Sequence, residues 1–528
     1  MACTRSTPPP PTPKPDTTAH FEEVAQRSGI DYRFEVEGKR PLSILQTIGN
    51  GCALFDYDND DNLDLLLVSR KLALFRGDGK GGFTAASGVL PALSGHFLGV
   101  AAGDFDNDGF SDLYVSAYRG GVLLRNVGGK AFKDVTSSVG LPTIPWGTSA
   151  TLFDADGDGR LDLYVCNYVD FGPETNPQLC KYGEQMSACG PRFYNPLKGM
   201  LFLQKAGRFT DATAAWGAGD VHGKGLGVAA VDIDGSGRQS LALANDEVPG
   251  DLLRNMGGRF ANVAAEAGTA YDSEGSVHGG MGTDWGDIDG DARPDLFVAT
   301  FQNEVKCLYK NEGNGLFTEN ATMLGLNAVK PNVSFGTKFF DYDNDGYLDI
   351  VVANGHVQDN IQAIEKSSAY RQPTQLFRGG SKGFEDASAA LGERGQIPIV
   401  GRGLATGDWD NDGRIDLVVI DSEGAPLLLH NVHPKPGAAL SLKLKGTRSN
   451  RDGYGAQVIA RVGDRTIVRH CHADGSYLSS SDPRIHIGLG DASTADVTVR
   501  WPSGKKETFA GLKPGKTVML TEGSGAAS

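Results

Sequence analysis

Short apolar runs punctuate this chain at intervals, and each follows directly on a loop crowded with aspartate: Leu63 to Val68, Leu161 to Val165 and Ile415 to Ile420 are examples. Continuous β-branched and leucine runs of this length predict strands buried on both faces. Before each loop lies a second apolar run that carries a small residue five positions ahead of the first aspartate. These are Gly51, Gly99, Ser149, Gly227, Gly282, Gly336 and Gly403. Small residues there suit innermost strands converging on an axis, so the loop joins a first strand to a second. A third landmark is an aromatic that opens an outer strand, at Phe83, Phe132, Phe209, Phe260, Phe317 and Phe384, often after a Leu-Leu-Arg-Asn stretch such as 123–126 or 252–255.

Repeats of this period predict a ring of like sheets. There are seven loops but six downstream aromatics, and the missing one stands at the other end of the chain, in Phe21-Glu22-Glu23-Val24. The expectation is an all-β, seven-bladed β-propeller over 18–433, closed by its N-terminal strand, with a small β-sandwich-like domain over 438–525. Closure in this way leaves no sheet edge open.

The loops carry the candidate chemistry. They present Asp56, Asp58, Asp60 and Asp64; Asp104, Asp106, Asp108 and Asp112; and Asp154, Asp156, Asp158 and Asp162. The fourth keeps Asp232 and Asp234 but has Ser236 and Ser240 in the later positions. The last three present Asp287, Asp289, Asp291 and Asp295; Asp341, Asp343, Asp345 and Asp349; and Asp408, Asp410, Asp412 and Asp416. Carboxylates at positions 1, 3, 5 and 9, with a carbonyl at 7, offer a set of hard oxygen ligands that suits Ca²⁺. An EF-hand would need Glu at position 12, where this chain has Leu67, Val115, Val165, Leu243, Val298, Val352 and Val419. Asx-turns alone would also favour aspartate. Yet two carboxylates about 4 Å apart at an effective dielectric of about 20 repel by roughly 4 kcal/mol, so four together call for a cation. Six full loops are expected to hold calcium, with the fourth weak or empty. Six divalent ions would offset most of the formal charge of −15. That charge also argues against nucleic acid as a partner.

The 72 glycines agree with many tight turns. No apolar run is long enough to span a bilayer. Residues 1–17 form a proline-rich tether with Cys3 near its start, placed as a lipidation cysteine would be; a tail with an incidental cysteine is the alternative. Cys180 and Cys189 lie close together in a long insertion at 169–199 and are expected to form a disulfide, which with millimolar-affinity calcium loops points to an extracytoplasmic protein, whether secreted, periplasmic or a surface lipoprotein. Cys52, Cys166 and Cys307 fall in strand patterns and read as buried thiols.

The face opposite the loops is expected to gather His96, Trp146, His222, Lys224, His278 and Arg402 from the turns entering the inner strands. The turns leaving the second strands add Asn245, Asp246, Glu247, Asn303, Glu304, Asn354 and His356. Such a mouth suits a protein or carbohydrate ligand, though a solvated rim would look the same. His470-Cys471-His472 sets two imidazoles on one strand face, a weak signal for copper or zinc.

Several segments carry a family resemblance: Val351 to Val357, Tyr370 to Pro373, Ser449 to Asp452, Gly475 to Ser479, Asp482 to Arg484, Gly488 to Gly490, and Arg500 to Gly504. In these the chain resembles FG-GAP-repeat (VCBS-type) proteins that end in an ASPIC/UnbV domain, bacterial relatives of cartilage acidic protein. The resemblance implies an integrin-α-like propeller, calcium in the blade loops, secretion, a binding or adhesion role and no known catalysis. It also makes Arg76-Gly77-Asp78 a turn of the repeat and not an adhesion motif. The function expected is a noncatalytic binding scaffold; the alternatives are a carbohydrate-active lyase or dehydratase, or a metal-handling accessory protein using the mouth.

Overall fold

In the computed structural model, which describes residues 19–527, strands converge on a common axis. The tether and Cys3 lie outside the described residues. The first sheet shows the unit: Cys52–Phe55, Asp64–Leu67, Ala73–Gly77 and Phe83–Ala85 pair antiparallel in chain order. Six further four-stranded units follow among the described residues, with inner strands His96–Gly103, Ile144–Phe153, Gly225–Val231, Thr283–Gly286, Ser334–Phe340 and Gly401–Gly407. Each inner strand neighbours the next, and the last neighbours the first, so the units close into a propeller. The outer strand of the last unit is Phe21–Glu23, in register Phe21 to Asn431. The second and third units are also joined edge to edge through Trp146 and Tyr118.

The apolar runs bury themselves between neighbouring blades. Ala53, Phe55 and Leu66 of the first interleave with Phe97, Val100 and Leu113 of the second, and the outer-strand aromatic Phe132 seals the layer. Every one of the seven outer-strand phenylalanines is buried. None of the described helices is long and apolar enough to cross a membrane.

The C-terminal region is less separate than its sequence suggests. Its sheets, built from strands such as Ala438–Lys445, Gln457–Val462 and Ala495–Arg500, sit on the aspartate-loop face. Arg484 donates to Asp408 O at 2.7 Å, Arg465 to Asp345 O at 2.7 Å, and Asp452 accepts Asp104 N at 2.7 Å. Its core runs on into the second and third blades, where Leu440, Val458 and Val497 share one cluster with Phe105, Leu152 and Leu163.

From these sheets residues 474–482 enter the propeller channel and bond to the inner strand of every blade. Ser480 exchanges backbone bonds with the first blade, donating to Cys52 O and accepting Leu54 N. Leu478 O takes Val100 N of the second blade, and Ser149 Oγ of the third takes Leu478 N at 3.0 Å. Asp474 accepts Ala230 N of the fourth at 3.0 Å, and Ser476 pairs with Thr283 of the fifth. Ser476 Oγ accepts Thr337 N of the sixth at 3.2 Å, while Asp482 N donates to Thr406 O of the seventh. Tyr477 and Leu478 have no exposed surface.

The small residues ahead of the loops thus have a sharper cause than convergence alone. A Cβ on Gly51 would stand 1.7 Å from Leu478 O, and one on Gly403 would stand 2.7 Å from Ser479 Oγ. Gly51→Ala should therefore cost about 3 kcal/mol or more through backbone overlap. Gly81→Ala, where nothing lies within 4 Å but φ is +89°, should cost about 1 kcal/mol. Denaturant midpoints of the two variants check the difference, and equal losses would contradict it.

Candidate functional site

Each aspartate loop is a turn built on its own carboxylates. The first aspartate accepts backbone N–H groups of the turn, as Asp104 does from Asp108 at 3.0 Å and Gly109 at 2.7 Å, whereas Asp341 accepts only Gly346 N, at 2.8 Å. Positions 4 and 6 take left-handed backbone, which explains Asn59, Asn107, Asn344 and Asn411 at position 4. Where position 6 is not glycine, Asp61 and Ala292 adopt φ of +64° and +69°.

The ninth position is a brace between strands. Asp64 accepts Tyr57 N and Gly77 N, both at 2.9 Å, and Asp162 accepts Ala155 N at 2.8 Å and Gln204 N at 2.7 Å. In the fourth loop Ser240 Oγ keeps half of this role by accepting Asn255 N at 3.2 Å. The third strand supplies the rest of the setting. Arg76 lies 2.7 Å from both Asp58 and Asp60, and Arg378 lies 2.7 Å from Asp343 and 2.9 Å from Asp345. Arg76 is thus engaged within its own repeat, and Asp78 turns back on Lys80 N and Gly82 N.

An asparagine on the third strand of four repeats, after Arg125, Arg254, Lys310 or His430, is a residue whose role sequence reasoning missed, although its recurrence was visible. Asn126 Nδ2 donates to Ser111 O of its own loop and to Tyr57 O of the preceding blade's loop, and Asn255, Asn311 and Asn431 repeat the bridge. His430 was missed too. It occupies the arginine place of the last repeat, 2.9 Å from Asp410.

Several of these clusters can hold a metal ion. Ligand atoms of Asp56, Asp58 and Asp64 lie within 4.8 Å of one another, as do those of Asp104, Asp106 and Asp108; of Asp154, Asp156 and Asp162; of Asp287, Asp289 and Asp291; and of Asp410, Asp412 and His430. The fit to a hard cation has a further sign. Asp58 Oδ1, Asp341 Oδ1 and Asp410 Oδ1 are buried with no hydrogen-bond partner among the described residues, a costly state for a carboxylate unless a cation meets it. Without one, burial pushes Asp64, Asp162 and Asp295 up to about 8 and Asp112 up to about 9. Burial, with Asp452 close by, pushes Asp104 up to about 8.

The opposite face differs from the open rim read from sequence. Trp146, His278, His356 and Arg402 are buried there. Trp146 is boxed by Tyr118, Tyr168 and Phe171. His278 meets the Tyr309 hydroxyl at 3.1 Å, and burial holds its pKa down at about 4. His356 Nδ1 accepts Gln358 N at 3.0 Å, and burial together with Arg402 holds it at about 3. Arg402 donates to Thr47 O, Gly355 O, Gly401 O and His356 O, and stacks 3.9 Å over Phe335. Phe171 of the insertion packs on Trp146 and Thr47 of the 42–48 segment accepts from Arg402, while Trp146 Nε1, His278 Nδ1 and His356 Nε2 are buried without a hydrogen-bond partner among the described residues. His222 is half-exposed and pairs with Asp251 at 2.6 Å. His96 packs edge-on to Tyr118, away from the axis, and Lys224 is buried with φ of +57°.

Among the openings left at this face is a pocket of about 220 Å³. Of the residues expected at this face, Asp246, Glu247 and Glu304 line it. Burial pushes Asp246 up to about 7, against the pull of the Tyr168 hydroxyl that donates to it at 2.5 Å. Cys180 and Cys189 are disulfide-bonded, and the hairpin they join forms one wall, reaching across to Asn360 through Ser187 at 2.7 Å. His470 and His472 line a smaller interdomain cavity with His486, where His472 is held by Asp474 at 2.8 Å and His486 by Asn344 at 2.7 Å.

Comparison with known proteins agrees with the fold and the loops. Residues 56–115, 111–165 and 287–352 match the FG-GAP-like repeat, and residues 446–527 match ASPIC and UnbV. The chain carries FG-GAP-like repeats and ends in an ASPIC and UnbV domain. Cartilage acidic protein 1 of Xenopus tropicalis is 26% identical over 486 residues, covering 77% of this chain and 70% of that protein. The human protein of the same name is 26% identical over 487 residues, covering 77% of this chain and 69% of its own length. Among solved structures, a lectin of Agrocybe aegerita that recognises non-reducing terminal N-acetylglucosamine aligns with TM-score 0.43 and 13% identity, over 73% of this chain and 98% of the lectin. A Bacillus licheniformis rhamnogalacturonan lyase aligns with TM-score 0.37 and 11% identity, over 76% of each chain.

The ninth-position carboxyls of the FG-GAP repeats set a pH dependence. Their metal-free folded pKa lies above the unfolded value of about 3.9, so the stability they contribute is present below that value and is lost as pH rises through about 8 to 9. In chelator, the melting temperature should fall between pH 6 and pH 9. Saturating divalent cation should flatten this slope, and a metal-free protein that gains stability over that range would contradict it.

Proposed function

We propose that this chain is an extracytoplasmic calcium-binding β-propeller that acts as a noncatalytic binding scaffold, offering a protein or carbohydrate-sized partner the face opposite its aspartate loops. The observation that carries this reading is the distribution of occupied and open surface. The ASPIC and UnbV sheets cover the loop face and their 474–482 segment fills the channel, while the pocket beside Glu304 stays open on the other side. The loops are then structural. Calcium in each would tie the first and second strands of a blade together and relieve the repulsion that burial imposes on its aspartates.

The disulfide supports an oxidising compartment, and loops of carboxylates on strand turns suit the higher calcium found outside the cytosol. Neither enzymatic turnover nor transition-metal handling has a comparable observation behind it. The histidines at the mouth are dispersed, His222 on Asp251, His278 on Tyr309 and His356 on the backbone of Gln358.

Calcium at 100-fold above Kd should add about 2.7 kcal/mol for each occupied site by linkage. Melting curves in excess calcium should therefore lie well above those in EGTA. Asp289→Asn in a full loop should lower the calcium-dependent gain, whereas Asp234→Asn in the serine-bearing fourth loop should leave it nearly unchanged. Coincident curves with and without calcium would remove the structural role assigned to the loops.

A further inference from the structure

The pocket on the open face combines two features that constrain what can occupy it. Much of its wall is hydrocarbon, from Ile44, Ile48 and Met281 to the rings of Phe301 and Phe335, with Tyr182 and Gln358 adding polar groups. Into this apolar space three carboxylic acids project from adjoining loops of the fourth and fifth blades, Asp246, Glu247 and Glu304. Arg192 is the one cation among the lining residues, and it is exposed. The buried Lys306 behind them gives its ammonium to Phe301 O at 2.5 Å and Asn332 O at 2.9 Å, so its donors are turned to carbonyls.

The acids are held in place by the fold. Glu304 Oε2 accepts Gly279 N at 2.9 Å and Phe301 N at 3.1 Å, which fixes the carboxylate. Asp246 is 8% exposed and is met by the Tyr168 hydroxyl. Glu247 adopts left-handed backbone, with φ of +54°. A non-glycine residue held there is strained, a cost tolerated where the side chain must point one way.

We propose that this pocket binds an apolar primary amine, with Asp246, Glu247 and Glu304 receiving the three N–H donors of its ammonium and the isoleucine, methionine and phenylalanine walls enclosing its hydrocarbon body. The inference rests on the reading of this face as the ligand face and names the chemistry of the ligand. Asp246 is buried and Glu304 half-buried, while Glu247 is exposed; a carboxylate withdrawn from water seeks a cation, and an ammonium supplies both charge and donors in a space where apolar walls strengthen the pairing. An anion would face three acids of like charge. The volume of about 220 Å³ lies at the small end of ligand pockets and suits a short aryl or alkyl chain.

Isothermal titration of the full chain in calcium buffer, with 2-phenylethylammonium, phenylacetate and 2-phenylethanol as probes, tests this. The ammonium should bind one to one, at least about tenfold tighter than the alcohol, and phenylacetate should give no binding heat. Glu247→Gln, at an exposed position that leaves folding intact, and Glu304→Gln should each weaken the ammonium about tenfold. Equal binding of the three probes, tighter binding of the alcohol or acid, no heat from the ammonium at about 10 mM, or undiminished binding by Glu247→Gln would overturn the proposal. These outcomes are separate from the fate of the calcium scaffold reading, which stands or falls on the melting curves in calcium and EGTA.

Discussion

A propeller's innermost strands carry backbone N–H and C=O groups that face the channel, and each must find a partner or remain in water. Here the partner is a stretch of the same chain, residues 474–482, which bonds to all seven inner strands in turn. The rest of the architecture depends on that arrangement. It fixes the small residues of the inner strands, since Gly51, Gly99, Gly282 and Gly403 all lie against the segment. Its sheets are thereby anchored over the aspartate loops, where Lys443 reaches Asp56 and Asp61, and Arg484 reaches Asp408 O. It also closes the channel, so the two faces of the ring do not communicate through an open pore.

The two ends of the molecule then divide their tasks by chemistry. At one end, buried carboxylates are clustered on tight turns, tied sideways by asparagine bridges such as Asn126 to Tyr57 O. That end is rich in charge but is overlaid by the ASPIC and UnbV sheets. At the other end, Trp146, Arg402 and His356 are buried, and a disulfide-bonded hairpin walls a largely apolar pocket that three acids line. Tyr477 and Leu478, at the tip of the axial segment, belong to the same hydrophobic cluster as Ile44, Ile48, Met281 and Phe335 of that pocket. The axle thus spans from the aspartate loops to the floor beneath the pocket.

Much of this was legible in the sequence, for local reasons. The aspartate loops, the buried second strands and the outer-strand phenylalanines repeat in order, so their periodicity alone conveys sheets about an axis. Cys180 and Cys189 lay close enough in one insertion to be paired on sight. The histidines, Trp146 and Arg402 were harder, because turn position tells which end of a strand a residue occupies but not what folds over it. The insertion at 169–199 and the short helix at Ile44–Thr47, which meet Trp146 and Arg402, have no repeat to be read from. The axial segment was the least legible part. Gly475 to Ser479 stood out only as a segment of the family resemblance, with no repeat to place it, and its partners lie up to 429 residues away, as in Tyr477 to Ile48 O. Only the glycines of the inner strands hinted that something had to fit between them.

Hydrogen exchange followed residue by residue tests the central claim most directly. If the axial segment is held by every blade, the amides of Ser476, Leu478 and Ser480 should exchange only through global unfolding, as slowly as those of the second strands. Exchange of these three at the rate of the exposed turn near Gly463 would contradict it, because the segment would then be a loosely held loop and not the axle of the ring.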